Sequence, residues 1–358
     1  MSSGDLKRTL EDIDAKIVEL IAQRYETMKS AVGQEKSENA VALDTGWDNE
    51  TLQHVKFLAG KKGLDTGELE NIYRQILAGE KKLQGIEVAF LGEDGSFGQE
   101  VAFGFFGRSV KTRQCDTIEE VYKLVQQGDL EHGIVPVENS QEGSIGQSYD
   151  LLLESDVKVC GEVQVRTTYC LAANKSASLG SIKKIYSHPQ ALGECQAFLR
   201  HLGCDLIPTY HTVGSVKMIK DKRLTDSAIV AGEGVAFAHD MKILAREIED
   251  NRWNSTRFFL LGKQDMPPTG NDKTSIVTLL KHQPGTLFEV IKEFADREIN
   301  LTKVETRPTR KTPWEYHFYI DFEGHRIDPV IKEALDRVEK ACLFLKVLGS
   351  YPRAKAHQ

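Results

Sequence analysis

Long apolar runs, concentrated positive charge and paired cysteines are all scarce in this sequence of 358 residues. No stretch reaches the roughly 18 consecutive apolar residues of a membrane-spanning helix, so a helical span is not expected. Lys and Arg number 46 against 53 Asp and Glu, for a formal net charge of -7, and no long basic run occurs. A nucleic-acid or membrane-surface binder needs a concentrated positive footprint to displace counterions, so neither nucleic acid nor membrane is an expected partner. Small molecules and further copies of the chain are. The opening MSSGDLKRTLEDID lacks the apolar segment of a secretion signal, which leads to the expectation of a cytoplasmic protein. The six cysteines (Cys115, Cys160, Cys170, Cys195, Cys204, Cys342) form no C-x-x-C pair and have no His spacing typical of zinc. Free thiols are therefore expected, with neither a disulfide framework nor a metal site.

What is present is an ordinary globular composition, 40% hydrophobic and 28% charged. At roughly 100–200 residues per domain, the length allows two or three domains. Residues 5 to 84 read as helix. Leu6, Leu10, Ile13, Ile17, Leu20 and Ile21 make one apolar stripe on a helix expected to run to about Lys36. Two shorter helices follow, one from Glu50 to Ala59 capped by Asp48, the other from Glu68 to Leu83 capped by Asp65 or Thr66, with Gly60 and Gly63 between them. Three helices with one long member enclose little core alone, so a bundle completed by a second copy is expected.

At Gly85 the pattern changes. The apolar strand Ile86 to Leu91 ends in the turn Gly92 to Ser96, and strand-length apolar runs then alternate with helical periods to about Lys263. These runs are Gly133 to Val137, Val157 to Val165, Tyr169 to Ala173, Ile182 to Tyr186, Asp205 to Pro208, Ala228 to Ala231 and Phe258 to Leu261. Such alternation means α/β layering, and a segment of this length has room for two lobes with a cleft between them. A Pro/Gly-rich linker, Asp265 to Asp272, precedes a tail that reads strand, helix, strand, strand, helix, strand, the order of a ferredoxin-like fold. The expected division is 1–84 helical, 85–265 two-lobed α/β and 273–355 α+β.

Three clusters could carry chemistry. GIVPVENSQEGSI (133–145) ends a strand with a carboxylate, an amide and hydroxyls, although Glu-Asn-Ser after a strand is also an ordinary helix cap. YSHPQALGEC (186–195) opens a helix whose first N–H groups could meet an anion, or be capped with Pro in the first turn. NSTRF (254–258) sets a hydroxyl and a guanidinium before an apolar strand. In this order, and together with FLGEDGSFGQE (90–100), these clusters resemble prephenate dehydratase across 86–263. The tail resembles the ACT regulatory domain through HQPGTL (282–287) and LTKVETRP (301–308), and the first helices look like chorismate mutase. The whole chain thus resembles the bifunctional chorismate mutase/prephenate dehydratase family.

That resemblance implies a multidomain protein: an all-α mutase-like domain, a two-lobed α/β dehydratase domain of the periplasmic-binding-protein type, and a ferredoxin-like ACT domain. It implies loss of the ring hydroxyl and of CO2 from prephenate to give phenylpyruvate, without a cofactor. By motif, Thr256 is the essential hydroxyl at the leaving group and Arg257 binds a substrate carboxylate. Glu138 (as a proton source if burial raises its pKa), Asn139 and Ser187 are the other expected catalytic groups, while Ser140, Thr212 and Phe258 complete the cleft. Glu194 stands where the family usually has Gln, a change that calls for a partner such as His211 or marks another substrate, for example arogenate; alternatively it points to solvent. Mutase positions fall on Lys7, Arg8, Arg24, Lys36, Asp44, Asp48, Glu80 and Gln84. The family's D-x-x-R-E is here Asp44 to Asp48 with Trp47 in place of the arginine. Losing one partner of a buried charge pair costs about 2–5 kcal/mol, or roughly 30- to 4000-fold, so a weakened mutase is expected. In the tail, Pro284, Gly285, Thr286 and Leu287 with Glu305, Thr306, Arg307 and Pro308 are expected to bind phenylalanine as an effector between two copies, in a homodimer or homotetramer. The alternatives are an arogenate dehydratase, a prephenate decarboxylase, or a non-catalytic amino-acid sensor.

Overall fold

The computed structural model describes residues 3–34, 42–84, 86–209, 212–310 and 312–354. The chain divides into two compact units, residues 1–87 with 103–111 and residues 88–102 with 112–358.

The first unit carries α1 (Ser3–Gln34), α2 (Ala42–Lys62) and α3 (Thr66–Gln84). Asp65, not Thr66, caps α3, its Oδ1 accepting the Glu68 N–H at 2.8 Å. Asp48 does not cap α2. The helix starts six residues earlier, at Ala42, so Asp48 lies within it. The small core is made by Leu52, Val55, Ala59 and Leu77. Tyr25 of α1 crosses Gly79 of α3, its hydroxyl donating to Ile76 O at 3.1 Å, and a β-carbon at Gly79 would overlap that phenol. Leu6, Leu10, Ile13 and Ile17, the apolar stripe of α1, stay exposed.

A first α/β lobe is built from β1 (Glu87–Leu91), α4 (Phe97–Phe106), β2 (Lys111–Cys115), α5 (Ile118–Gln127), β3 (His132–Asn139), β4 (Gly143–Ser144), α6 (Gly146–Glu154) and β5 (Lys158–Arg166). A second lobe follows: β6 (Cys170–Ala173), β7 (Lys184–Ser187), α7 (Pro189–Glu194), α8 (Gln196–Leu202), β8 (Asp205–Pro208), α9 (Thr212–Asp221), β9 (Ser227–Ala231), α10 (Glu233–Ala238) and β10 (Lys242–Ala245). The chain then returns to the first lobe as β11 (Ser255–Gly262), inserted between β3 and β5 in the order β2-β1-β3-β11-β5, while the second sheet runs β10-β6-β9-β7-β8. Two segments therefore join the lobes, 167–169 and 246–254. The expected two-lobed α/β plan is present, and β2, the two-residue β4 and β10 are additions that sequence reading had not marked. β2, Lys-Thr-Arg-Gln-Cys, is a polar edge strand with no apolar alternation.

The tail has β12 (Asp272–Leu280), α11 (Thr286–Ala295), β13 (Leu301–Pro308), β14 (Tyr316–Glu323), α12 (Pro329–Ala341) and β15 (Cys342–Pro352), with sheet order β13-β14-β12-β15. This is the expected ferredoxin-like arrangement. One sheet face packs Ile276, Ile320 and Phe322 on Val290 and Phe294 of α11 and Ala334 and Val338 of α12. Its opposite face lies on the first lobe. Tyr319 meets Tyr149 edge-on with ring centres 5.1 Å apart, and Lys346 donates from its ammonium to the carbonyls of Leu152, Leu153 and Ser155. Gly349 sits where a β-carbon would overlap the backbone of Val159.

Candidate active site

The residues that the motifs marked converge where the two joining segments meet the ends of β3 and β11. β11 pairs antiparallel with both neighbours, setting Thr256 opposite Asn139 on β3 and Val165 on β5. Asn139 is buried, and its amide nitrogen lies 3.1 Å from Thr256 Oγ and 2.9 Å from Asn254 Oδ1. From the first joining segment, Thr167 brings its own hydroxyl to 3.0 Å from that of Thr256. Asn254 donates to Glu194 Oε2 at 2.8 Å, and Glu194 Oε1 accepts from Gln190 at 3.0 Å. Ser140 closes the loop, its hydroxyl accepting the Ser255 N–H at 3.0 Å. Burial, and then the neighbouring Glu194 carboxylate to which it is hydrogen-bonded, push the phenol of Tyr169 well up, so it stays neutral.

Thr256, Asn139, Ser140 and Glu194 are thus brought together, whereas Arg257 and Glu138 are not. Successive strand residues face opposite sides of a sheet. Thr256 and Asn139 point one way; Arg257, Glu138 and Glu162 point the other, onto the ACT-like sheet. The guanidinium of Arg257, 7% exposed, binds Glu162 at 2.8 Å, Asp321 at 2.7 Å and the Tyr351 hydroxyl at 3.2 Å, with Glu138 at 3.7 Å. Burial opposes its charge, but Asp321, Tyr351 and Glu162 outweigh burial and hold it well above the ordinary arginine value. Lys303 takes Glu138 at 2.9 Å, and Lys273 takes Glu162 at 2.7 Å. The expectation that Arg257 meets substrate and Glu138 supplies the proton is corrected: both stand on the far face of the sheet from Thr256, paired with cations and carboxylates there. Between these two sheets lies a cavity of about 580 Å³, lined by residues including Glu138, Arg257, Lys273 and Lys303.

The remaining expected cleft residues divide. Ser187 is buried and donates to Val230 O at 2.6 Å, a bond within the second lobe's sheet. The helix after it is an ordinary capped start, His188 accepting the Gln190 N–H at 3.3 Å with Pro189 in the first turn. Phe258 is buried in the core. Thr212 opens α9, where Glu93 of the first lobe accepts the Val213 N–H at 2.7 Å; sequence reading missed this lobe-to-lobe contact. Gly95, at φ +81°, meets Gly234 so closely that a β-carbon on Gly95 would overlap the Gly234 backbone. His211 lies outside the described residues. Glu194 does not point to solvent, since its carboxylate is held by Gln190 and Asn254. Thr167 and Asn254 carried one legible signal, their place at the ends of runs now seen to be strands.

In the helical unit, Lys7 and Arg8 are exposed on α1, with Lys7 3.8 Å from Glu11, and Arg24 is half-buried. Lys36 lies outside the described residues. Asp44 and Asp48 belong to α2, Glu80 and Gln84 to α3, and their side chains lie outside the described residues. In the tail, Pro284 and Leu287 flank the start of α11, Gly285 occupies its N-cap at φ +90°, and Thr286 is buried with its hydroxyl on Gln283 O. β13 splits the other effector positions. Glu305 accepts from Lys303, and Arg307 grips Asp150 at 2.9 and 3.1 Å, both toward the first lobe; Thr306 and Pro308 are exposed on the opposite side. Among the described residues no group of His, Cys, Asp and Glu is placed to hold a metal ion, and no helix is long and apolar enough to cross a membrane.

Comparison with known proteins adds three family matches in order: Chorismate mutase type II over residues 6–85, Prephenate dehydratase over 88–266 and ACT domain over 274–340. A "Bifunctional chorismate mutase/prephenate dehydratase" of Stutzerimonas stutzeri is 36% identical over 99% of this chain and 100% of its own length. The "Arogenate dehydratase/prephenate dehydratase 2, chloroplastic" of Arabidopsis thaliana is 36% identical over 75% of this chain and 73% of its own. Among solved structures, a prephenate dehydratase from Arthrobacter aurescens in complex with L-Phe superposes with a TM-score of 0.69 at 28% identity, over 75% of this chain and 90% of that one.

Proposed function

Because the chain belongs to the bifunctional chorismate mutase/prephenate dehydratase family, we propose that the cluster around Thr256 eliminates water and CO2 from prephenate, giving phenylpyruvate. Aromatisation supplies the driving force. The site must orient the substrate and carry a proton to the departing hydroxyl. Thr256 accepts from Asn139 and so keeps its own proton available for that hydroxyl. It is a weak acid, and a hydroxyl partner such as Thr167 can pass a proton through it. The single observation that carries this reading is the placing of Thr256 Oγ between Asn139 and Thr167, 3.1 and 3.0 Å away, beside the segments joining the lobes. The assay is ultraviolet detection of phenylpyruvate from prephenate. Thr256→Val is expected to lower kcat by at least about a hundredfold, as loss of a proton-transfer group does; unchanged turnover refutes the assignment.

Glu194 favours a second substrate. Its hydrogen-bond donors Asn254 and Gln190 are both neutral amides, and arogenate offers an ammonium group where prephenate has a keto group. Measuring both substrates in parallel decides between them by kcat/KM.

In this reading three domains, 1–84, 85–265 and 273–355, carry these tasks. The helical one supplies chorismate mutase activity, weakened by Trp47, and the exposed stripe Leu6, Leu10, Ile13, Ile17 supports closure of its bundle by a second copy in a homodimer or larger homo-oligomer. The ACT domain binds phenylalanine as inhibitor, a reading supported by the ligand of the Arthrobacter structure. Six unpaired cysteines fit a reducing cytoplasm.

A further inference from the structure

The amides beside Thr256 can each be oriented without ambiguity. Asn139 Oδ1 accepts two backbone N–H groups, from Gln141 at 2.9 Å and Glu142 at 3.1 Å, so its oxygen is fixed on that side. Its nitrogen must then face Asn254 Oδ1 and Thr256 Oγ. At the other end stands Glu194, both of whose side-chain oxygens accept, one from Asn254 and the other from Gln190. It draws the nitrogen of Asn254 toward itself, which turns the Asn254 oxygen back to Asn139. Backbone donors at one end and a carboxylate at the other select the same direction. We infer that Glu194 and Asn254 are positioning residues that fix the direction of hydrogen bonding into Thr256, so that its oxygen receives a bond from Asn139 and its proton is left for the substrate.

Asn254 is 1% exposed, so no water replaces a partner if its amide reverses. Reversal would set its nitrogen against that of Asn139, two donors facing each other, and Asn139 cannot turn without releasing both backbone N–H groups. A glutamine at position 194 could serve Asn254 through its carbonyl, but its second face would be a donor and would accept either orientation. The carboxylate removes that freedom.

The inference rests on the reading of Thr256 as the reacting hydroxyl, and the test separates the two. In the full-length protein, Asn254→Asp places a second carboxylate against Glu194 while still accepting from Asn139. We expect kcat to fall about ten- to a hundredfold with KM within about threefold of the parent. Glu194→Gln alone is measured alongside as the reference for the change at position 194. Combined with Asn254→Asp it gives an amide donor facing a carboxylate acceptor, and kcat should return to within about fivefold of the parent. A loss caused by distortion away from this pair would not be reversed by a substitution at position 194. Parental kcat in Asn254→Asp, or no recovery in the double variant, overturns the inference. If Asn254→Asp does not fold, the double variant decides alone: kcat as low as that of Thr256→Val overturns the proposal. Parental turnover in Thr256→Val would instead overturn the reading of Thr256.

Discussion

Single side chains in this protein are governed by which partner reaches them first, as its thiols illustrate. Burial pushes Cys115 up to about 11 and both Cys160 and Cys170 up to about 12. Each folded-state value exceeds the unfolded one, so the fold prefers the protonated thiol. The resulting stability is fully present below the unfolded thiol value, near 8.5, and is lost as pH rises from there through about 11 to 12. The measurement is chemical denaturation between pH 8 and pH 11, with ~pH 8.5 as the expected onset of decline. At pH 8 the same three cysteines should resist iodoacetamide in the native protein and react once it is unfolded, read by mass spectrometry. Sequence reading reached this scale only in part. That six thiols are free was legible from spacing. That Glu194 holds Asn254, 60 residues away, was not, because the contact joins the last residue of α7 to a joining segment whose approach depends on the return of the chain to the first lobe.

Between residue and domain, β11 is the instructive element. Its apolar run and the hydroxyl before it were readable from NSTRF, yet Thr256 and Arg257 were assigned to one cleft. A strand separates neighbours by turning alternate side chains to opposite faces, and the period of two was enough to place them apart. What the period could not tell was what lay beyond each face. Asp321 on β14, 64 residues away, completes the surroundings of Arg257. Asp321→Asn leaves a buried guanidinium with one less countercharge, and should lower unfolding stability by about 3–5 kcal/mol in chemical denaturation. A similar loss of Tyr351→Phe would not follow, because that partner is a neutral hydroxyl at 3.2 Å. The polar strand β2 escaped detection for the opposite reason: Lys-Thr-Arg-Gln-Cys has no alternation to read, and only its pairing beside β1 makes it a strand.

For the whole molecule, the order of the regions was visible as changes of period: helical to Gly85, alternating to Lys263, then βαββαβ. The hidden part is that the ACT sheet buries its second face on the dehydratase lobe, so that Lys273, Ser275 and Asp321, polar residues in a sheet, are buried. Their sequence alone suggests solvent. The helical unit gives a prediction of its own. If Trp47 is what weakens the mutase, Trp47→Arg in the full-length chain should raise kcat/KM for chorismate by at least about thirtyfold, the lower end of a restored charge pair. Loss of chorismate in a spectrophotometric assay reads this, and no gain would locate the weakness elsewhere. The path of the chain also bears on how it is made. In the sheet order β11 stands between β3 and β5 and pairs with both, and it is synthesised after the whole second lobe. A nascent chain that ends before Ser255 therefore holds a sheet with a gap at its centre, its two strand edges open. Completion of the first lobe must wait for the second, and a ribosome paused between them would present an edge-exposed intermediate suited to chaperone capture.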